Sequence, residues 1–191
     1  QLDNAGGASN VSGLSDALVE TNSLYIGNDP SSTTDSAQYN LALGTTALDA
    51  ITSGDRNTAV GYDALTANTT GGYNTAIGDA ALSANTTGNF NVAVGHDALT
   101  KNTTGSDNTG LGMNALAANT TGNQNTAVGY DALAKNTTGN YNLASGYRAL
   151  FSNTTGTDNS AFGYRALYAN TTGTDNSASG SYALYSNTTG D

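Results

Sequence analysis

The sequence predicts an all-β fold: a β-solenoid or β-roll built from 17-residue repeats, intertwined or packed as a homotrimer. Three observations carry that expectation. A motif returns every 17 residues without a slip, each unit holds two glycine corners, and each unit is poor in large apolar side chains. Asn57-Thr58-Ala59-Val60-Gly61 recurs as Asn74-Thr75-Ala76-Ile77-Gly78 and then as Asn91-Val92-Ala93-Val94-Gly95. Units open at Asn40, Asn57, Asn74, Asn91, Asn108, Asn125, Asn142, Asn159 and Asn176. Eight full units therefore fill 40–175, and a ninth, one residue short, fills 176–191. Residues 1–39 read as an irregular leader or cap, with a faint echo of the repeat at Ile26-Gly27.

Counting from the opening asparagine, the first stretch reads as a short strand. Its second and fourth positions are mostly β-branched or apolar and share one face. The fourth position is expected in the core, beside the leucine and the alanines of each unit. The fifth position is glycine in every unit (Gly61, Gly78, Gly95 and Gly129 among them), as a corner with positive φ or a close backbone approach requires. The eighth and ninth positions are always Ala-Leu, with Leu65, Leu82, Leu99 and Leu133 as examples. Six residues are too few for periodicity to decide between a second strand and a helical turn there. Asn-Thr-Thr-Gly then reads as a second turn, whose closing glycine is expected at positive φ. Helical repeats are excluded, because they need a period near 33 and long amphipathic runs.

Stacking identical coils aligns like residues. The opening asparagines and the Asn-Thr-Thr turns become ladders at the ~4.8 Å strand spacing, with amides able to bond along the axis. A core this thin favours oligomerisation.

Composition bounds the partners. The chain of 191 residues has 5 basic and 15 acidic side chains, a net charge of −10 and no cysteine. It lacks the basic footprint of a nucleic-acid binder, a disulfide framework and any apolar run of the ~18 residues that a membrane-spanning helix needs. No nucleic acid, membrane insertion or cofactor is expected. The start at Gln1 reads as that of a processed chain or a segment of something longer.

Several residues invite chemistry. The Asn-Thr-Thr triplets at Asn68, Asn85, Asn102, Asn119, Asn136, Asn153, Asn170 and Asn187 match the N-glycosylation pattern, but equally a turn whose asparagine caps a corner. Paired threonines suggest an ice-binding array, and scattered carboxylates an isolated ion; either would define a monomeric ice- or ion-binding solenoid. Asp63 and Asp79 fall in neighbouring coils, and His96 is the only histidine; neither forms a recognisable catalytic arrangement, and no enzyme is expected. In the last third the tenth position becomes Phe151, Tyr168 and Tyr185, while the fourth holds Ser145 and Ser179. Larger rings there would compensate for serines in the core. Alternatively, Tyr147, Arg148, Tyr164 and Arg165 form an exposed strip suited to stacking on sugars.

The Asn-Thr-Ala-Val-Gly and Asn-Val-Ala-Val-Gly strands resemble the head repeats of trimeric autotransporter adhesins, in which three chains wind into a β-roll. The lead-in Leu14-Ser15-Asp16-Ala17-Leu18-Val19-Glu20, with Ser23-Leu24-Tyr25-Ile26-Gly27-Asn28-Asp29-Pro30, is similar to fibre-like structural proteins of marine phages, notably those infecting cyanobacteria. The resemblances imply an extracellular fibre segment on a virion, a phage tail fibre, or else a bacterial surface adhesin head. Its partners would be its own copies and a cell-surface polysaccharide or protein receptor.

Overall fold

The computed structural model describes residues 17–20, 22–27 and 36–190; the lead-in residues Leu14–Asp16 and Asn28–Pro30 lie outside them. Among the described residues the chain is a β-solenoid of about nine coils. Strand β1 (Ala17–Glu20) pairs antiparallel with β2 (Ser23–Ile26). From β2 onward all neighbours are parallel: β3 (Leu41–Leu43), β4 (Thr58–Val60), β5 (Thr75–Ile77), β6 (Val92–Val94), β7 (Thr109–Leu111), β8 (Thr126–Val128), β9 (Leu143–Ser145), β10 (Ser160–Phe162) and β11 (Ser177–Ser179). Each residue pairs with the one 17 further on, as in Ala59 with Ala76. The echo in the leader is real in structure, since Leu24 pairs with Leu41 and Ile26 with Leu43.

The strands reverse one expectation. Asparagine at the first position and alanine at the third point inward, so alternation sends the second and fourth outward. Ile77, Val128 and Phe162 are 41%, 39% and 45% exposed, whereas the alanines at the third position are buried. Ser145 and Ser179 therefore stand on the outer face, and the rings at the tenth position compensate for nothing in the core. Each coil encloses little more than two alanines, one leucine and two asparagines.

The Ala-Leu segment is neither strand nor helical turn. The seventh and ninth positions both adopt left-handed backbone, as at Asp63 (φ 53°) and Leu65 (φ 52°). This alternation directs successive amides both ways along the axis. Asp63 N–H donates to Thr45 O in the preceding coil, and Leu65 N–H to Ala81 O in the next. Left-handed geometry costs a non-glycine residue about 1–2 kcal/mol, and burying each leucine returns roughly 1.5–3 kcal/mol. Leu65, Leu82, Leu99 and Leu133 are all fully buried.

The two corners use glycine for different reasons. At the fifth position φ is far into the positive range, 131° at Gly129, and a Cβ there would lie 2.7 Å from Gly146 O. Gly61, Gly78 and Gly95 share this geometry. At the fifteenth position φ is not positive, contrary to expectation. Space excludes a side chain instead: a Cβ on Gly122 would meet Asn119 Oδ1 and Gly139 O, each at 2.4 Å. The left-handed residue of that corner is the seventeenth, as at Tyr73 (φ 60°).

Between the corners run two buried amide ladders. Asn108 Nδ2 and Asn119 Nδ2, from the first and twelfth positions of one coil, both donate to Gly122 O, at 2.8 and 3.0 Å. Each also donates to its counterpart one coil earlier: Asn108 to Asn91 Oδ1 at 3.2 Å and Asn119 to Asn102 Oδ1 at 2.8 Å. In the first coil Ile51 fills the twelfth place. At the other end Asn187 Nδ2 turns to Asn176 Oδ1, and Asn170 Oδ1 is buried without a hydrogen-bond partner.

Two outcomes follow for stability. Gly129→Ala lowers it by at least about 1 kcal/mol and Gly129→Val by more, while Lys101→Gln on the surface changes it by less than ~0.5 kcal/mol; thermal melts of the three compare them. Asn119→Ala leaves Asn102 Oδ1 without its donor and costs about 2 kcal/mol or more, read as a shift in denaturant midpoint at unchanged slope.

Candidate functional site

The repeat sets any given position of successive coils into a vertical column, so a side chain's neighbours are those 17 residues away. In the last coils this builds two columns of rings. Tyr130, Tyr147 and Tyr164 stack at 5.3 and 5.2 Å between centroids, with planes 8° apart. Phe151, Tyr168 and Tyr185 stack at 5.3 and 5.1 Å. Arg148 and Arg165, at the seventh position, lie between the columns. The Arg148 guanidinium carbon is 5.3 Å from both the Tyr147 and Phe151 ring centres, and that of Arg165 is 5.3 and 5.4 Å from Tyr164 and Tyr168. Lys135 covers the Phe151 ring from the coil before, at 4.8 Å. The four residues Tyr147, Arg148, Tyr164 and Arg165 thus stand together, but the ring faces rest on one another. The strip presents ring edges, phenol hydroxyls and guanidinium N–H groups outward.

Its two cations differ. Arg148 Nε donates to Asp131 Oδ2 at 3.0 Å, and Asp131 also accepts from Asn114 Nδ2 at 3.0 Å. The bond to Asp131, working against desolvation, holds the Arg148 pKa above its ordinary value. Arg165 has an arginine, not a carboxylate, at the matching place one coil earlier. Its Nε is buried without a hydrogen-bond partner. Desolvation opposes its charge, but Tyr164, Tyr182, Tyr185 and Tyr168 together outweigh that and raise its pKa.

A second column escaped the sequence reading. At the seventeenth position Tyr39, Arg56, Tyr73 and Phe90 rise one above another. Arg56 lies 5.0 and 5.2 Å from the Tyr39 and Tyr73 ring centres, and Tyr73 stacks on Phe90 at 4.9 Å. Reading down the seventeenth position as a column is the signal that finds it.

Other candidates take ordinary places. Seven of the Asn-Thr-Thr asparagines, Asn68 to Asn170, are fully buried; each Nδ2 caps its corner through the glycine carbonyl three residues on, and all but that of Asn68 also donate to the asparagine one coil earlier. The atom that would carry a glycan faces the core. At the thirteenth position threonine hydroxyls donate to carbonyls of the next coil, as Thr120 Oγ1 does to Thr137 O at 3.0 Å. That leaves a single outward rank of threonines at the fourteenth. His96 Nδ1 lies 3.1 Å from Asp97 Oδ2, and Asp63 accepts the Thr46 hydroxyl. Among the described residues no three His, Asp or Glu side chains gather as metal ligands, and no helix is long and apolar enough to cross a membrane.

Comparison with protein-family models, with curated proteins and with solved structures returns no match.

The end of the strip has a measurable signature. A hydrogen bond with Tyr164, together with desolvation, raises the Tyr182 pKa above 10.0. A raised phenol pKa means a contribution to stability that is complete below the ordinary value and lost as pH rises through the raised one. Ultraviolet titration should show Tyr182 ionising above the ordinary tyrosine range, and Tyr164→Phe should return it toward its ordinary value.

Proposed function

We propose that the chain is a structural fibre segment with an adhesive or receptor-binding role, a part of a phage tail fibre exposed on the virion surface. The observation that supports this best is an apolar stripe on the outer sheet face. Leu43, Ile77, Val94, Leu111, Val128 and Phe162 stand exposed at the fourth position of six of the first eight coils. Seven coil steps separate the first from the last, roughly 34 Å at the parallel strand spacing. A mostly apolar strip, interrupted at Ser145, on a chain with so thin a core suits burial against like copies, and three copies sharing it would form a shaft. The edges and hydroxyls of the Tyr/Arg strip would remain for a cell-surface polysaccharide or protein.

The repeat's resemblance to adhesin heads and the lead-in's resemblance to phage fibres point the same way. Ice binding finds less support, because half of the turn hydroxyls are engaged along the axis. Sedimentation or light scattering tests the reading: a particle of three times 19.1 kDa is expected, and an elongated monomer would sink it.

A further inference from the structure

The two edges of the outer sheet face carry matched side chains. Strand residues two and four lie between the seventeenth position on one side and the sixth and seventh on the other. These edges are about six residues apart along the chain, up to roughly 20 Å, so they do not meet within one copy. Among the described residues Arg148 pairs with Asp131 and the His96 imidazole lies against Asp97, and neither contact joins the edges. The charges at the seventeenth position are exposed and unpaired: Arg56, Asp107, Asp158 and Asp175.

Height along the axis orders them. Since 17 residues climb one coil of ~4.8 Å, Asp158, ten residues after Arg148 and seven before Arg165, stands between the two in height, within about 3 Å of each. Asp175 stands ten residues above Arg165, and Arg56 seven below Asp63. Asp107 falls between His96 and Asn114, which both carry donors. In two coils ring faces ring as well: Tyr62 shares its coil with Tyr73, and Tyr130 with Tyr141. Acid meets acid across the edges only at Asp97 and Asp107, and Asp97 already holds His96.

Resting on the fibre reading above, we propose that a second copy of this chain, parallel and in register, docks its seventeenth-position edge against the sixth- and seventh-position edge of its neighbour. Asp158 and Asp175 of one copy would then flank the outward part of the Arg165 guanidinium of the next, supplying the carboxylate that Arg148 finds in Asp131 and Arg165 does not find within its own chain. Because the two edges differ, the contact is heterologous, and repetition about a common axis closes a ring.

Charge exchange tests this. Arg165→Asp alone, and Asp158→Arg with Asp175→Arg, should each weaken association at least tenfold by sedimentation equilibrium. All three changes together should restore it, and the losses should shrink at high salt. Circular dichroism confirms folding; the Asp158/Asp175 variant changes only exposed, unpaired side chains. The chain has no cysteine, so spin labels on Ser53→Cys or Ser186→Cys, at opposite ends, should each give a short distance between copies. Parent-like association of both charge variants, no rescue in the folded triple variant, or long distances from both labels would each overturn the in-register edge contact while leaving the fibre reading intact. A monomeric parent would overturn both.

Discussion

The shared carbonyl of the fifteenth glycine is the point on which each coil closes. Two asparagine amides from opposite sides of the cross-section converge on it, as Asn108 and Asn119 do on Gly122. Buried amides are costly unless bonded, and in the interior coils each remaining Oδ1 is engaged by the coil above, as Asn102 Oδ1 is by Asn119, so the polar interior is satisfied only as a stack. This explains why the asparagines are as constant as the leucines. It explains the glycine too, because a methyl group at Gly122 would collide with the amide that approaches it.

The same closure sets what the outside can do. With the two asparagines, Ala59, Ala64 and Leu65 filling the interior, the larger apolar residues of the strands have no room inside and cover the outer face. Apart from the leucine, the solenoid therefore fills its core with small side chains and carries its larger strand residues on the outside. Aromatic residues gather in columns for the same reason. A ring at one position finds a ring one coil away at a distance close to the coil rise, and an arginine beside them is held by the quadrupoles of both columns.

Much of this was legible in the residues. Period, ladders and the corner at the fifth position follow from identity recurring at fixed spacing, which needs no knowledge of side-chain direction. Direction was the harder matter. A three-residue strand offers one full alternation, and Val60 or Ile77 beside an alanine reads as a core residue; only the inward asparagines reverse the phase. Left-handed leucines such as Leu65 run against intrinsic preference, so no local signal announces them. Gly122 looked like a turn glycine, yet what it avoids is an amide three residues earlier. The period alone sets Tyr147, Arg148, Tyr164 and Arg165 beside one another, but stacking within each column is a property of neighbouring coils and cannot be read from single units.

Because the bonds joining coils run along the solenoid axis, the molecule resists force very unevenly. Tension spread over a whole cross-section loads the strand ladder, the turn amides and both asparagine ladders at once, and none yields before the others share its load. Tension applied to a single strand end would instead peel a coil away bond by bond. A solenoid made this way carries a pull well only if gripped along its flanks, where the load spreads over many coils before it reaches any one strand end.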